Sequence, residues 1–249
     1  RLAERVSDKS LFSPYVKALR AADPTLRALL IRLMPRVNSA LDHPALVALL
    51  QSSDAQLRKE VAQILPTIGG RKVFELLGEM VGEPSFPGRL EAMEVVVAIV
   101  PHHAVPLLQT VLAVGNEVEK VRAIAYLTEP RCTARDPGAA LAAIAGALGD
   151  GQESVVVSAI AGISALASED DYLTQVGPYL ESANLALARA AVDGLRMFAS
   201  PRAVAALHLR LRAGPNVLRF AALDALEVIG TGDVLNPLVE ALGHAQIRV

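Results

Sequence analysis

The sequence predicts an all-α fold: a right-handed α-solenoid of about eight helical-hairpin repeats. Three observations predict it. A short motif ending in Arg recurs as Leu26-Arg27, Leu57-Arg58, Gly88-Arg89, Val121-Arg122, Leu218-Arg219 and Ile247-Arg248, with degenerate copies at Val155-Val156 and Leu187-Ala188. Arg-equivalent positions fall 31, 31, 33, 34, 32, 31 and 29 residues apart, a period that marks stacked helical pairs. Proline then recurs at the start of the first helix of several units, where its missing N–H would have had no partner anyway. Finally, 52% of the chain is apolar but only 4% aromatic, with no Trp. Ala, Leu, Val and Ile suit closely packed helices better than an aromatic-lined pocket.

Taken in order, apolar spacing and breakers predict eight pairs. They are 11–20 with 24–37, 44–51 with 55–68, 71–81 with 87–100, and 103–113 with 117–128. Next come 137–148 with 152–167, 171–181 with 185–199, 201–212 with 215–229, and 233–242 with a helix from 246. The first helices open with Pro14, Pro44, Pro106, Pro178 or Pro237. Between the two helices of a pair stands a residue able to accept from free N–H groups: Asp23, Asp54, Asn116, Asp150, Asn184 or Asn216. Each unit of such an array packs only on its neighbours, so residues 1–249 are expected to form a single repeat domain. The chain opens at Arg1 and closes as another helix begins, so a fragment of a longer array or multidomain protein is expected.

These units resemble HEAT repeats, especially the bacterial type also found in phycobilisome-lyase-like proteins, over residues 11–249. The resemblance implies a structural ladder in which turn Asp and second-helix Arg residues join neighbouring repeats. Its best matches are Asp23 with Arg27 and Asp54 with Arg58, and Arg122, Arg219 and Arg248 are further members. The pattern is broken at Val156 and Ala188, where the ladder is expected to be weaker and the array to give most. Tetratricopeptide repeats share the period, but their Trp and Gly-Tyr signature is missing.

If the second helices line a concave surface, positions one, five and eight after the Arg-equivalent share one helix face. On that register Leu90, Val97, Ala123, Leu127, Val157 and Ala161 form an apolar strip. Arg189, Asp193, Arg196 and Asp224 form a charged rim beside it, with Glu227. A contiguous exposed apolar area marks an interaction site; a register wrong by one residue would instead bury these side chains between helices. The connection 129–137, Glu-Pro-Arg-Cys-Thr-Ala-Arg-Asp-Pro, is a second candidate surface, or a loop that merely absorbs an insertion.

Charge narrows the partners. The formal net charge is −2, although residues 1–72 carry 12 Lys/Arg against 6 Asp/Glu, a balance of +6 that leaves −8 for the remainder. Nothing in that balance draws the whole chain to phosphate, so nucleic acid is not the expected partner. The longest stretch without acidic or basic residues, Val95 to Asn116, is broken by Pro101 and Pro106 and is too short on either side to span a bilayer. The single Cys132 excludes an internal disulfide and fits a reducing, cytoplasmic setting.

Groups that carry chemistry are sparse. His102-His103 has no acidic or thiol neighbour in sequence to complete a metal site. Arg131 and Arg135 flank Cys132 and could make it a reactive surface thiol. Glu169-Asp170-Asp171 lacks the spaced oxygens and central Gly of a calcium loop and reads as a helix-capping turn. No phosphate loop, nucleophile elbow or His-Glu zinc motif occurs. The resemblance also reaches enzymes: iron-dependent deoxyhypusine hydroxylases repeat His-Glu pairs, and this chain has no His-Glu dipeptide. HEAT-like alkylpurine glycosylases are basic clamps, and the predicted groove is not basic at its middle. The expectation is therefore a scaffold without catalytic activity, cofactor or metal, which binds another protein or a fused domain. A regulatory module acting in cis is the alternative, and a lyase or glycosylase a third reading.

Overall fold

The computed structural model describes residues 12–21, 23–33, 43–68 and 71–230. Among these residues every regular element is a helix. The fold is all-helical and built from helical hairpins, as its period predicts. The chain divides into two compact units, residues 1–136 and 137–249.

Unit 1 contains α1 (Phe12–Ala21), α2 (Pro24–Leu33), α3 (His43–Val47, continued by a 3₁₀ turn Ala48–Gln51), α4 (Ala55–Ile68) and α5 (Arg71–Val81). It continues with α6 (Arg89–Ile99), α7 (Val105–Val114), α8 (Glu117–Leu127) and the short α9 (Pro130–Thr133). The second helices α2, α4, α6 and α8 pack in succession, and so do the first helices α3, α5 and α7. Their shared core is aliphatic, with Leu46, Leu50, Leu65, Leu77, Met93, Val96 and Leu108 excluded from solvent. The charge-free stretch from Val95 becomes the end of α6, a 3₁₀ turn Pro101–His103 and α7. No helix among the described residues is long and apolar enough to cross a membrane.

Unit 2 contains α10 (Pro137–Gly146), α11 (Glu153–Leu166), α12 (Glu169–Val176), α13 (Leu185–Leu195), α14 (Pro201–Ala213) and α15 (Asn216–Ile229). Helices α11, α13 and α15 pack in succession, with α10 on α11, α12 against α11, and α14 against both α13 and α15. Small residues set the spacing. Tyr172 of α12 is fully buried, donates its hydroxyl to Ala191 O at 2.7 Å and stacks on Phe198 at 5.0 Å between ring centroids. A Cβ at residue 194 would lie 2.1 Å from that hydroxyl oxygen, so only Gly194 lets α13 approach.

Capping side chains start the second helices. Asp23 Oδ1 accepts from the N–H groups of Thr25 and Leu26, and Asp54 Oδ1 from those of Gln56 and Leu57. Asn116 and Glu119 form a reciprocal capping box at α8. Asn184 accepts from Ala186 and Leu187. Asn216 instead lies inside α15, whose N-terminal flank is Pro215. Gly230, with φ +58°, ends α15 in the left-handed conformation usual for a helix-terminating glycine. The predicted pair 233–242 and 246 onward, with His244 and Arg248, lies outside the described residues, as do positions 34–37.

Candidate interaction face

Repeats are joined differently in the two units. In unit 1, Arg27 Nη1 donates to Asp54 Oδ2 of the next repeat at 2.7 Å. Arg58 Nε donates to Glu91 Oε1 at 3.3 Å, and its Nη1 to Ser52 O at 2.8 Å. Arg89 Nη1 donates to Glu119 Oε2 at 2.6 Å, while Nε and Nη2 hold Val81 O and Glu83 O. That last pair is buried, with side chains only 4% and 6% exposed. Asp23 caps its own helix, and Asp54 both caps α4 and receives Arg27. The Leu57 N–H first, and Arg27 with it, hold the Asp54 carboxyl below its ordinary pKa against the opposing effect of desolvation. The acids Glu91 and Glu119 were not singled out from sequence, because neither is a turn residue.

The ladder also corrects a register. Arg27, Arg58 and Arg89 are spaced by 31, and the next step of 31 lands on Lys120, not Arg122. The Asn116 cap agrees, standing four residues before Lys120 as Asp23 and Asp54 stand before Arg27 and Arg58. Arg122 is accordingly exposed and outside the ladder position. Arg219 lies partly buried and donates to Arg212 O.

The two-residue offset removes Ala123 and Leu127 from the apolar strip in unit 1, and Val97, counted from the in-register Arg89, is buried at position eight itself. Ala123 and Leu127 are fully buried, Val97 is 2% exposed, and Leu90 is half-buried. Ala123, Leu127 and Val97 belong to the packing between helices and cannot form a surface. In register, the exposed face of unit 1 carries Lys59, Gln63, Glu94 and Ala125, with Leu90 and Val121 half-buried, which is mixed and polar.

In unit 2, Val156 and Ala188 are buried where the motif Arg would stand. The repeats are joined instead by Asn184 Nδ2 donating to Glu153 Oε2 at 2.6 Å. The first helices add Tyr179 to Leu148 O, Ser200 to Glu169, Arg202 to Asp170, and Arg210 to Leu180 O and Glu181. The Glu169-Asp170-Asp171 turn is thereby the acidic first turn of α12, capped by Ser168 and bonded to α14.

In unit 2, Asp193 lies close enough to Arg189, Arg196 and Asp224 for each to act on its charge. Val157 is half-buried and Ala161 exposed on α11, Arg189 and Asp193 follow on α13 with Arg196 just past its end, and Asp224 lies on α15. Arg189 Nε approaches Asp193 Oδ2 at 3.7 Å. Partial burial pushes the Asp193 carboxyl above its ordinary pKa; Asp224 adds to this, and Arg189 and Arg196 oppose it. Among these charges stand large apolar side chains that the strip did not include: Met197 at 59% exposure, Phe220 at 58% and Val228 at 64%. Phe220 is at position one of its repeat, while Met197 and Val228 are at position nine, just past the stripe that was read.

The remaining candidates carry less. Cys132 is fully buried in α9, and desolvation, then Glu129, push its thiol pKa up, so it is not a reactive surface thiol. The connection after Glu129 is largely helical, not an open loop. His103 faces the Arg135 guanidinium at 3.0 Å and stacks on His102 at 4.6 Å. Desolvation first, then Arg135 and His102, lower its pKa. Among the described residues no three His, Cys, Asp or Glu side chains are grouped to hold a metal ion.

No family model matches the chain, and no curated protein matches it. Solved structures do. Human deoxyhypusine hydroxylase in complex with glycerol is 18% identical at a TM-score of 0.41, covering 86% of this chain and 83% of that one. The crystal structure of an engineered protein is 19% identical at a TM-score of 0.45, covering 92% and 71%. The expectation of a non-enzyme is corrected: an enzyme, the hydroxylase, stands among the matched structures. At these scores and identities neither similarity supplies an activity.

Proposed function

We propose that the chain is a protein-interaction scaffold that binds a segment of another protein, or of a fused domain, on the exposed face of α13 and α15. The observation that carries this reading is the set Met197, Phe220 and Val228, more than half exposed and set among Arg189, Arg196 and Asp224. Apolar anchors bordered by charge suit recognition: the anchors supply desolvation, and the charges set orientation and encounter rate. The face is preformed on packed helices, so little ordering entropy is lost on binding.

Photo-crosslinking tests it. A crosslinker at position 220 is expected to capture a defined protein, and one at Ala205 on the far helix α14 is not. Equal capture from both positions, or capture from position 205 alone, contradicts the reading.

A further inference from the structure

We infer that the occupant of this face is a second copy of the chain, paired about a two-fold axis running between α13 and α15. The inference rests on the binding reading above and goes beyond it by naming the partner. It begins from the 31-residue repeat. Position 189 on α13, and positions 196 and 197 in the turn that closes it, match 220, 227 and 228 on α15, each 31 residues on, as Asn184 matches Pro215 at the helix starts. The two helices pack side by side, and α14 returns the chain between them, so they run in the same direction. Matched residues therefore stand at the same height on neighbouring helices.

A two-fold axis parallel to the helices lays α13 of each copy over α15 of the other, at unchanged height. Arg196 then meets Glu227, Met197 meets Val228, and Arg189 meets the face of Phe220, each contact made twice. These are an ion pair, an apolar pair and a cation–π pair. Among the described residues neither Arg196 nor Glu227 forms a salt bridge, so both are available to a partner. The pairing has one discord: Asp193 faces Asp224. Arg189 and Arg196 flank Asp193 and offset it. A face two helices wide and about 20 Å long offers roughly 400 Å² per copy. That lies below the size of a permanent interface, so the dimer is weak and transient.

Sedimentation velocity of the full chain from about 5 to 500 μM, where a weak dimer is populated, reads the pairing directly. The expected result is a concentration-dependent shift to dimer, weakened at least about ten-fold by Arg196→Glu or Glu227→Arg and recovered in the double variant R196E/E227R. Asp224→Asn is expected to strengthen it. Circular dichroism checks that each variant stays helical. A monomer throughout the range, or single reversals that leave the dimer unchanged, overturns the pairing. So does a folded double variant that does not recover. A monomer that still crosslinks another protein from position 220 overturns the pairing alone; a monomer without such a crosslink removes the binding reading as well.

Discussion

Arg89 shows how much one side chain holds in this fold. Its guanidinium is inside the protein, and its donors are spread over the carboxylate of Glu119 and two carbonyls at the end of the preceding helix. Removing it leaves Glu119 as a buried charge without its cation, which costs more than the pair contributes. Arg89→Ala is expected to destabilise unit 1 by about 3–5 kcal/mol in urea unfolding, and Arg89→Lys to recover only part, because an ammonium cannot fork to three acceptors. A loss below about 1 kcal/mol would mean the pair is solvated in solution. Nothing in sequence set Arg89 apart from Arg27 or Arg58. What distinguishes it is burial, which comes from the Pro84–Gly88 turn folding over it, and a turn of that kind has no periodic signal.

At the scale of helices, most of the pairing was legible because apolar spacing and breakers are local. The phase of α8 was not. The aliphatic-Arg motif fits Val121-Arg122, and two residues earlier Glu119-Lys120 fits the motif worse but keeps the 31-residue step. The Asn116–Glu119 capping box decides the matter physically, because it fixes where the helix begins and so which side chains face outward. An error of two residues turns a helix by about 200°, which is why Ala123 and Leu127 moved from a supposed surface to the core. The box also has a measurable worth. Glu119 serves it and the Arg89 pair at once, so Asn116→Ala isolates the cap alone. That substitution is expected to cost about 1 kcal/mol in chemical unfolding, and no measurable loss would argue that α8 starts elsewhere.

At the scale of the whole chain, unit 1 is stitched through Arg–carboxylate pairs of its second helices, that of Arg89 and Glu119 buried. Unit 2 is stitched through exposed contacts between its first helices and close approach at Gly194. On α13 of unit 2 the ladder position holds Ala188, and the outward charges and apolar side chains of α13 and α15 stay exposed. The charged rim Arg189, Asp193, Arg196 and Asp224 could be read from sequence because α13 and α15 keep the period. Met197 and Val228 could not, since a stripe of three positions stops one residue short of them. Amide hydrogen exchange of the chain, alone and with the protein that position 220 captures, tests the binding face most directly. The account predicts slowed exchange in 185–197 and 216–228 with α14 unchanged. Protection confined to α10, α12 and α14, or to unit 1, would contradict it.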